Sequence, residues 1–274
     1  MTYLTPHLPF AASSSSSLPP ASSHLIISDT LASPSHFATY HLVSSALGKE
    51  KRRVVWVDFR GEGRASWEAV LKKLGTPLPP TASKEFVHIA PSSLPHAVPT
   101  TQTSPKLFDE ESRPSLRPTC DAIIPNLKEG SLVILDGLSE LVWMGIPSVE
   151  VGKFVRAVFA KVRNTQSILV STIHADHLPL TSSSTSAPSA NDANADLLER
   201  LLRIGQGGWW RISHLPSGRS GDVMGEISSH PLGTYVGQEG KSGFPSVPRS
   251  NPLQYRLESS TVRVFPKGTG RGFL

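Results

Sequence analysis

Apolar residues along this chain fall into two rhythms. Four stretches are apolar without alternation: residues 24–28 (HLIIS), 54–58 (VVWVD), 131–136 (SLVILD) and 167–173 (SILVSTI). Such runs, bounded by turn signals, predict strands covered on both faces, as in a parallel α/β sheet. A shorter strand is expected at 86–89. Between them the spacing becomes helical. Residues 35–47 carry Phe37, Tyr40, Val43 and Leu47, with Ser33 and Pro34 as the expected cap and first turn and Gly48 as the stop. Residues 65–74 carry Trp67, Val70, Leu71 and Leu74 and stop at Gly75. A short helix is expected at 119–127, its end disturbed by Pro125. Residues 148–163 set Val151, Phe154, Val155, Val158, Phe159 and Val162 opposite Lys153, Arg156, Lys161 and Arg163. The order is strand, helix, strand, helix, the pattern of a sheet with crossover helices.

After a last short helix at 196–204 the rhythm changes again. Residues 209–215 (WWRISHL) and 223–227, joined by PSGRSGD, predict an antiparallel hairpin, and 253–258 with 261–265 a second. Three segments fit neither rhythm. Residues 1–23 are Ser/Pro-rich and read as a disordered N-terminal segment; 90–118 and 177–194 read as low-complexity insertions in a single domain spanning 24–274. A parallel α/β half followed by antiparallel strands fits a RecA-like core, of the P-loop NTPase type.

Composition narrows this picture. The hydrophobic fraction of 38% is low for 274 residues, and 24 prolines and the serine runs account for it. No apolar run reaches the roughly 18 residues that span a bilayer, so no membrane is expected. The first residues lack the basic and apolar regions of a signal peptide. One cysteine, Cys120, excludes an intrachain disulfide and a multi-cysteine zinc site. An intracellular location is the expectation, cytoplasmic first and nuclear second. Residues 203–274 hold nine basic and four acidic residues, the whole of the chain's net charge of +5. That balance suits a polyanion such as nucleic acid, and equally a solvated surface.

Asp136 ends the 131–136 strand, where open α/β sheets place ligands and where P-loop enzymes hold a magnesium ion. Its partner would be a Gly-rich phosphate loop with a lysine, between the first strand and the first helix. That place holds DTLASPSHF, residues 29–37, without glycine or lysine; Asp29 adds negative charge there and Pro34 removes a donor. Asp29, Ser35 and Asp136 are therefore degenerate nucleotide-site positions, and no cofactor is expected. Glu62 reads as a surface loop acid. His174, Asp176 and His177 lack a third convincing metal ligand and read as a solvated loop, so no metal is expected. Ser139 does not sit in a nucleophile elbow. Trp209 and Trp210 could stack bases, or fill a core or interface.

The stretches HLIISDTLASPSHFATYHLVSSAL, VVWVDFRGEGRASWEAVLKKLG, SLVILDGLSELVWMG and SILVSTIHAD together resemble the family of sixth subunits of the Elongator complex, with the fifth-subunit family as the nearest alternative. The resemblance extends weakly through ADLLERLLRIGQGGWWRISHLPSGRSGDVMGEI. The long acidic tail associated with the fifth subunit is absent, since the chain ends in KGTGRGFL. The resemblance implies a non-catalytic RecA-like subunit without a phosphate loop. It would assemble with the fourth and fifth subunits into a hexameric ring that binds tRNA and supports modification of the wobble uridine by the catalytic subunits. No catalytic residue carries over. A degenerate RecA-type ATPase or recombinase, and a scaffold without RNA contact, are the alternatives. A ring subunit needs an apolar interface, for which Trp143, Met144, Ile146, Trp209 and Trp210 are candidates. It also needs basic residues for RNA, and Arg211, Arg219, Arg256, Arg263, Lys267 and Arg271 lie on or beside the predicted hairpins and tail.

Overall fold

The structure is a computed structural model. It describes residues 4–10, 17–92, 104–109, 111, 113–175, 190–215, 222–233, 243–258 and 261–269. Nine strands form one sheet: β1 (His24–Asp29), β2 (Val54–Asp58), β3 (Phe86–Ile89), β4 (Leu132–Asp136), β5 (Ile168–His174), β6 (Gly207–Ser213), β7 (Gly225–Leu232), β8 (Leu253–Leu257) and β9 (Val262–Pro266). Their spatial order is β3-β2-β4-β5-β1-β6-β7-β8-β9. The first six in that order are parallel and the last three add antiparallel. The helices are α1 (His36–Ser44), α2 (Arg64–Lys73), α3 (Arg117–Ile123), α4 (Leu138–Trp143), α5 (Ser148–Asn164) and α6 (Ala190–Ile204). Among the described residues no helix is long and apolar enough to cross a membrane.

Strands β1, β2, β4 and β5 are buried at every position, as uninterrupted apolar runs require. Alternate residues feed two cores. On one face Leu25, Ile27, Trp56 and Ile134 pack with Phe37, Leu42, Trp67 and Leu71 from α1 and α2. On the other, Ile26, Val55, Val57, Val133 and Leu135 pack with Val151, Val155, Val158 and Leu201 from α5 and α6. Strand β6 is the junction, parallel to β1 on one side and antiparallel to β7 on the other.

Several expectations need correction. The described N-terminal residues are not a disordered segment. Leu4, Leu8, Phe10 and Leu18 are buried, and Phe10 stacks on Trp210 at 5.2 Å. Helix α1 starts at His36, with no side-chain cap bond at Ser35, and the chain continues through a π-helical turn, Ser45–Lys49, so Gly48 does not end it. Ser33 donates instead to the Met224 carbonyl at 3.4 Å. In the 90–118 segment Leu107 and Leu116 are buried, and Ser92 bridges to Lys106; the remaining residues of that reading, 93–103, 110 and 112, lie outside the described residues. Helix α6 begins at Ala190, inside the segment expected as a loop. Helix α4 was not expected at all.

The Gly207–Gly208 pair that opens β6 is set by close approach. A Cβ at Gly207 would lie 2.0 Å from the His24 carbonyl oxygen, and one at Gly208 would lie 2.2 Å from Phe244 Cδ1. Backbone cannot yield as a flexible side chain can. Gly207→Ala should therefore cost about 3 kcal/mol or more in urea denaturation, at the upper end of overpacking effects. Gly61→Ala, left-handed at φ 73° but in open space, should cost only about 1–2 kcal/mol. Equal costs would contradict this account.

Candidate functional site

Three acids and a histidine end adjacent parallel strands: Asp58 on β2, Asp136 on β4, His174 on β5 and Asp29 on β1. The register sets Asp58 beside Asp136 and Asp29 beside His174. All four are buried. Asp58 closes its own loop, accepting from the backbone N–H of Gly61 at 2.8 Å and of Gly63 at 2.9 Å, and from His88 at 3.3 Å. Burial pushes its carboxyl up, but these hydrogen bonds outweigh burial and hold it below the ordinary carboxylate range.

The loop that Asp58 closes carries Arg60 inward. Arg60 Nε donates to Asp136 Oδ1 at 3.2 Å, Nη1 contacts His174 Nε2 at 2.8 Å, and Nη2 stands 3.9 Å from Asp29 Oδ2. A guanidinium only donates. His174 Nε2 must therefore accept, and Nδ1–H donates to Asp29 Oδ1. The imidazole is held in one orientation between an acid and an arginine. Burial works against the Arg60 charge, and Asp136 and Asp29 overcome it. Asp136 also accepts from Thr172 Oγ1 at 2.7 Å, and that hydroxyl accepts from the Gly137 N–H at 2.7 Å. Asp136 Oδ2 has no hydrogen-bond partner among the described residues. Burial raises its carboxyl above the ordinary range, against the pull of Arg60 and Thr172.

Ser35 joins the network through its backbone N–H, which donates to Asp29 Oδ2 at 2.7 Å. The three degenerate nucleotide-site positions read from the sequence thus come together: Asp136 directly on Arg60, Asp29 across an ion-pair distance, and Ser35 through Asp29. Gly137 makes room for the arginine, because a Cβ there would lie 2.5 Å from Arg60 Cγ. Trp143 stacks on His174 at 5.4 Å and 12° and stays 42% exposed, so it roofs the network. His174 is consequently buried rather than part of a solvated loop; Asp176 and His177 lie outside the described residues. Glu62 accepts from His36 at 2.7 Å and from the Trp67 indole at 3.0 Å, which gives it a structural post. Among the described residues no His/Cys/Asp/Glu group of three could hold a metal ion. Sequence reasoning missed Arg60, whose signal was its place two residues beyond the strand-end Asp58.

The expected interface residues separate. Ile146, Trp209 and Trp210 are 1%, 6% and 1% exposed, so they belong to the core and not to an exposed patch. For the two tryptophans burial follows from topology: β6 lies inside the sheet, and its successive side chains enter the two cores. Ile146, between α4 and α5, packs into the same core as Trp209. Met144 is half-buried against the same core, while Trp143 and Leu31, at 67%, remain exposed.

The basic quarter also separates. Arg219 and Arg271 lie outside the described residues. Arg256 pairs with Asp222 and Glu258, Arg263 with Glu258 at 3.0 Å, and Lys267 with Glu226 at 3.2 Å. Arg211 forms no ion pair among the described residues, and neither does Arg249, whose guanidinium lies 4.9 Å over the Trp209 ring. His230 tilts against the other side of this group, 5.2 Å from Trp209. Burial lowers the pKa values of Arg211 and His230, and the charge of Arg249 adds to both shifts. Two cations and an imidazole thus share one patch beside a tryptophan, a natural place for an anionic oxygen. No protein-family profile matches the chain, and no characterised protein in a sequence search matches it significantly.

Proposed function

We propose that this chain is a non-catalytic RecA-like subunit of the Elongator kind, in the family of sixth subunits, that joins the fourth and fifth subunits in a hexameric ring. In that ring it contributes to tRNA binding and so to wobble-uridine modification. The observation that carries the reading is Arg60. Where a P-loop enzyme would keep its strand-end aspartate open to magnesium and phosphate, this chain places its own guanidinium against Asp136 and Asp29. The 29–37 turn offers no lysine and no glycine for phosphates. A permanent internal cation does the neutralising work of a bound ion without hydrolysing anything. The strand order, a parallel half with an antiparallel wing, supports the RecA-like part of the reading. Exposed Leu31 and Trp143 flank the closed network and suit contact with a neighbouring subunit.

Two results are expected. Calorimetry of the purified chain with ATP and magnesium should show no binding that depends on Asp136, compared with the isosteric Asp136→Asn. Co-expression with the fourth and fifth Elongator subunits should bring the chain into a hexamer, whereas alone it should tend to aggregate. Micromolar ATP binding lost in Asp136→Asn, or a stable monomer that ignores those subunits, would overturn the reading.

A further inference from the structure

We propose a second anion site, at the opposite end of the sheet, that takes consecutive phosphate groups. A cleft of about 590 Å³ opens beside the amino ends of β2, β3 and β4, lined by Lys51, Arg52, Arg53, Lys84 and Lys128 with Glu85 and Glu129. Its volume is within the range of small-ligand pockets. Glu50 neutralises Arg52 at 2.8 Å, so the cations exceed the carboxylates by two. Lys51, Lys84 and Lys128 are exposed, and their ammonium groups form no ion pair among the described residues. The walls are nevertheless fixed. Arg53 donates to the Lys84 carbonyl at 2.6 Å and to the Asn126 carbonyl at 3.1 Å, and Arg52 to the Gly130 carbonyl at 3.3 Å.

The backbone marks the same place. Four non-glycine residues among those described have a left-handed backbone: Ser22, Lys51, Lys84 and Gln166, at φ 60°, 52°, 56° and 50°. Lys51, Lys84 and Gln166 line the cleft, and Ser22 follows its lining residue Ala21. Left-handed lysine is unfavourable and persists where the surroundings over-determine it, which is commonest at binding sites. Here it turns the stems of two free lysines to the rim of one basic concavity. Apolar lining is confined to Ala21 and Leu47, so the cleft suits a charged ligand and not a hydrophobic one. Two or three phosphates in a row match three flexible ammonium groups better than a single carboxylate does. The site is independent of the proposed function: it touches neither the Arg60 network nor Arg211 and Arg249.

The test titrates the full-length chain with inorganic tripolyphosphate and, separately, with a short oligouridylate, at low and high salt. Saturable binding is expected, weakened by salt and at least about tenfold weaker in the variant Lys51→Asn, Lys84→Asn, Lys128→Ala. Asparagine accepts the left-handed backbone, so the two rim positions keep their conformation. Binding of both probes identifies a bare phosphate run as the ligand; binding of the oligouridylate alone identifies a nucleic-acid backbone. Acetylation of wild-type lysines gives a readout that needs no variant. The probe should protect Lys51, Lys84 and Lys128 while leaving Lys72 and Lys161 reactive. Absence of saturable binding by either probe, equal affinity in the triple variant, or equal protection of all five lysines would each overturn the proposal.

Discussion

Arg60→Met is expected to remove about 3–5 kcal/mol of folding stability, the usual cost of breaking a buried ion network from one side. The variant leaves Asp136 and Asp29 buried, and it removes the donor that His174 Nε2 accepts from. Methionine fills much of the arginine's volume, so the loss reports charge and not a cavity. The pH dependence has a definite sign. Burial raises the Asp136 carboxyl, so between the ordinary carboxylate pKa and the raised one the native state binds more protons than the unfolded chain. Stability from this group is therefore greatest at the acidic end of that window and declines as pH rises through it. Removing Arg60, which lowers the Asp136 pKa, extends the window upward. The deficit of the variant relative to wild type should shrink as pH falls from neutral, in urea titrations at several pH values. Adding Asp29→Asn and Asp136→Asn to Arg60→Met should restore most of the loss. A deficit below about 1 kcal/mol, of the size seen for exposed pairs, would show that Arg60 is a surface residue in solution.

Much of the sheet was legible because burial on both faces writes itself as an unbroken apolar run. The ends of β2, β3 and β4 fall where the pattern puts them, and α5 follows its stripe to within one residue. The failures have physical causes. Helix α4 has six residues, too few to show a period, and it starts directly after a left-handed Gly137 that reads as a turn. The parallel pairing of β6 with β1 is a long-range fact, invisible in the local hairpin signal of WWRISHL. The same fact decides Trp209 and Trp210: adjacent strand residues face opposite ways, and only a strand covered on both sides buries both. Asp29 and Asp136 were legible because each follows directly on an unbroken apolar strand run, while Asp58, in the same position on β2, was not singled out. Arg60 was not legible, since its role depends on which way a five-residue loop folds over the neighbouring strand.

On the proposed reading, charge reversal of Arg211 and Arg249 together should weaken tRNA binding by the proposed ring about 10–100-fold at low salt. The paired cations Arg256, Arg263 and Lys267 already satisfy carboxylates, and a phosphate would have to displace Glu258 or Glu226 to reach them. Arg211 and Arg249 form no ion pair among the described residues; Glu226 offsets part of the like charge at Arg211, and a bound anion would relieve the rest. Contacts of this kind go to phosphates and carry little sequence preference. Each one lost should lower the slope of log affinity against log salt by about one, so the double variant Arg211→Glu, Arg249→Glu should lose about two. Trp209→Phe separates two roles of the tryptophan. It removes the indole N–H that Ser28 Oγ accepts at 2.7 Å and weakens the platform under Arg249, but leaves both charges in place. Its effect should be a smaller fall in affinity with an unchanged salt slope. Arg263→Glu serves as the control, with little change, because its charge is already spent on Glu258. If the double variant binds tRNA with wild-type affinity and slope in an intact ring, the patch is a solvated surface and not an RNA contact.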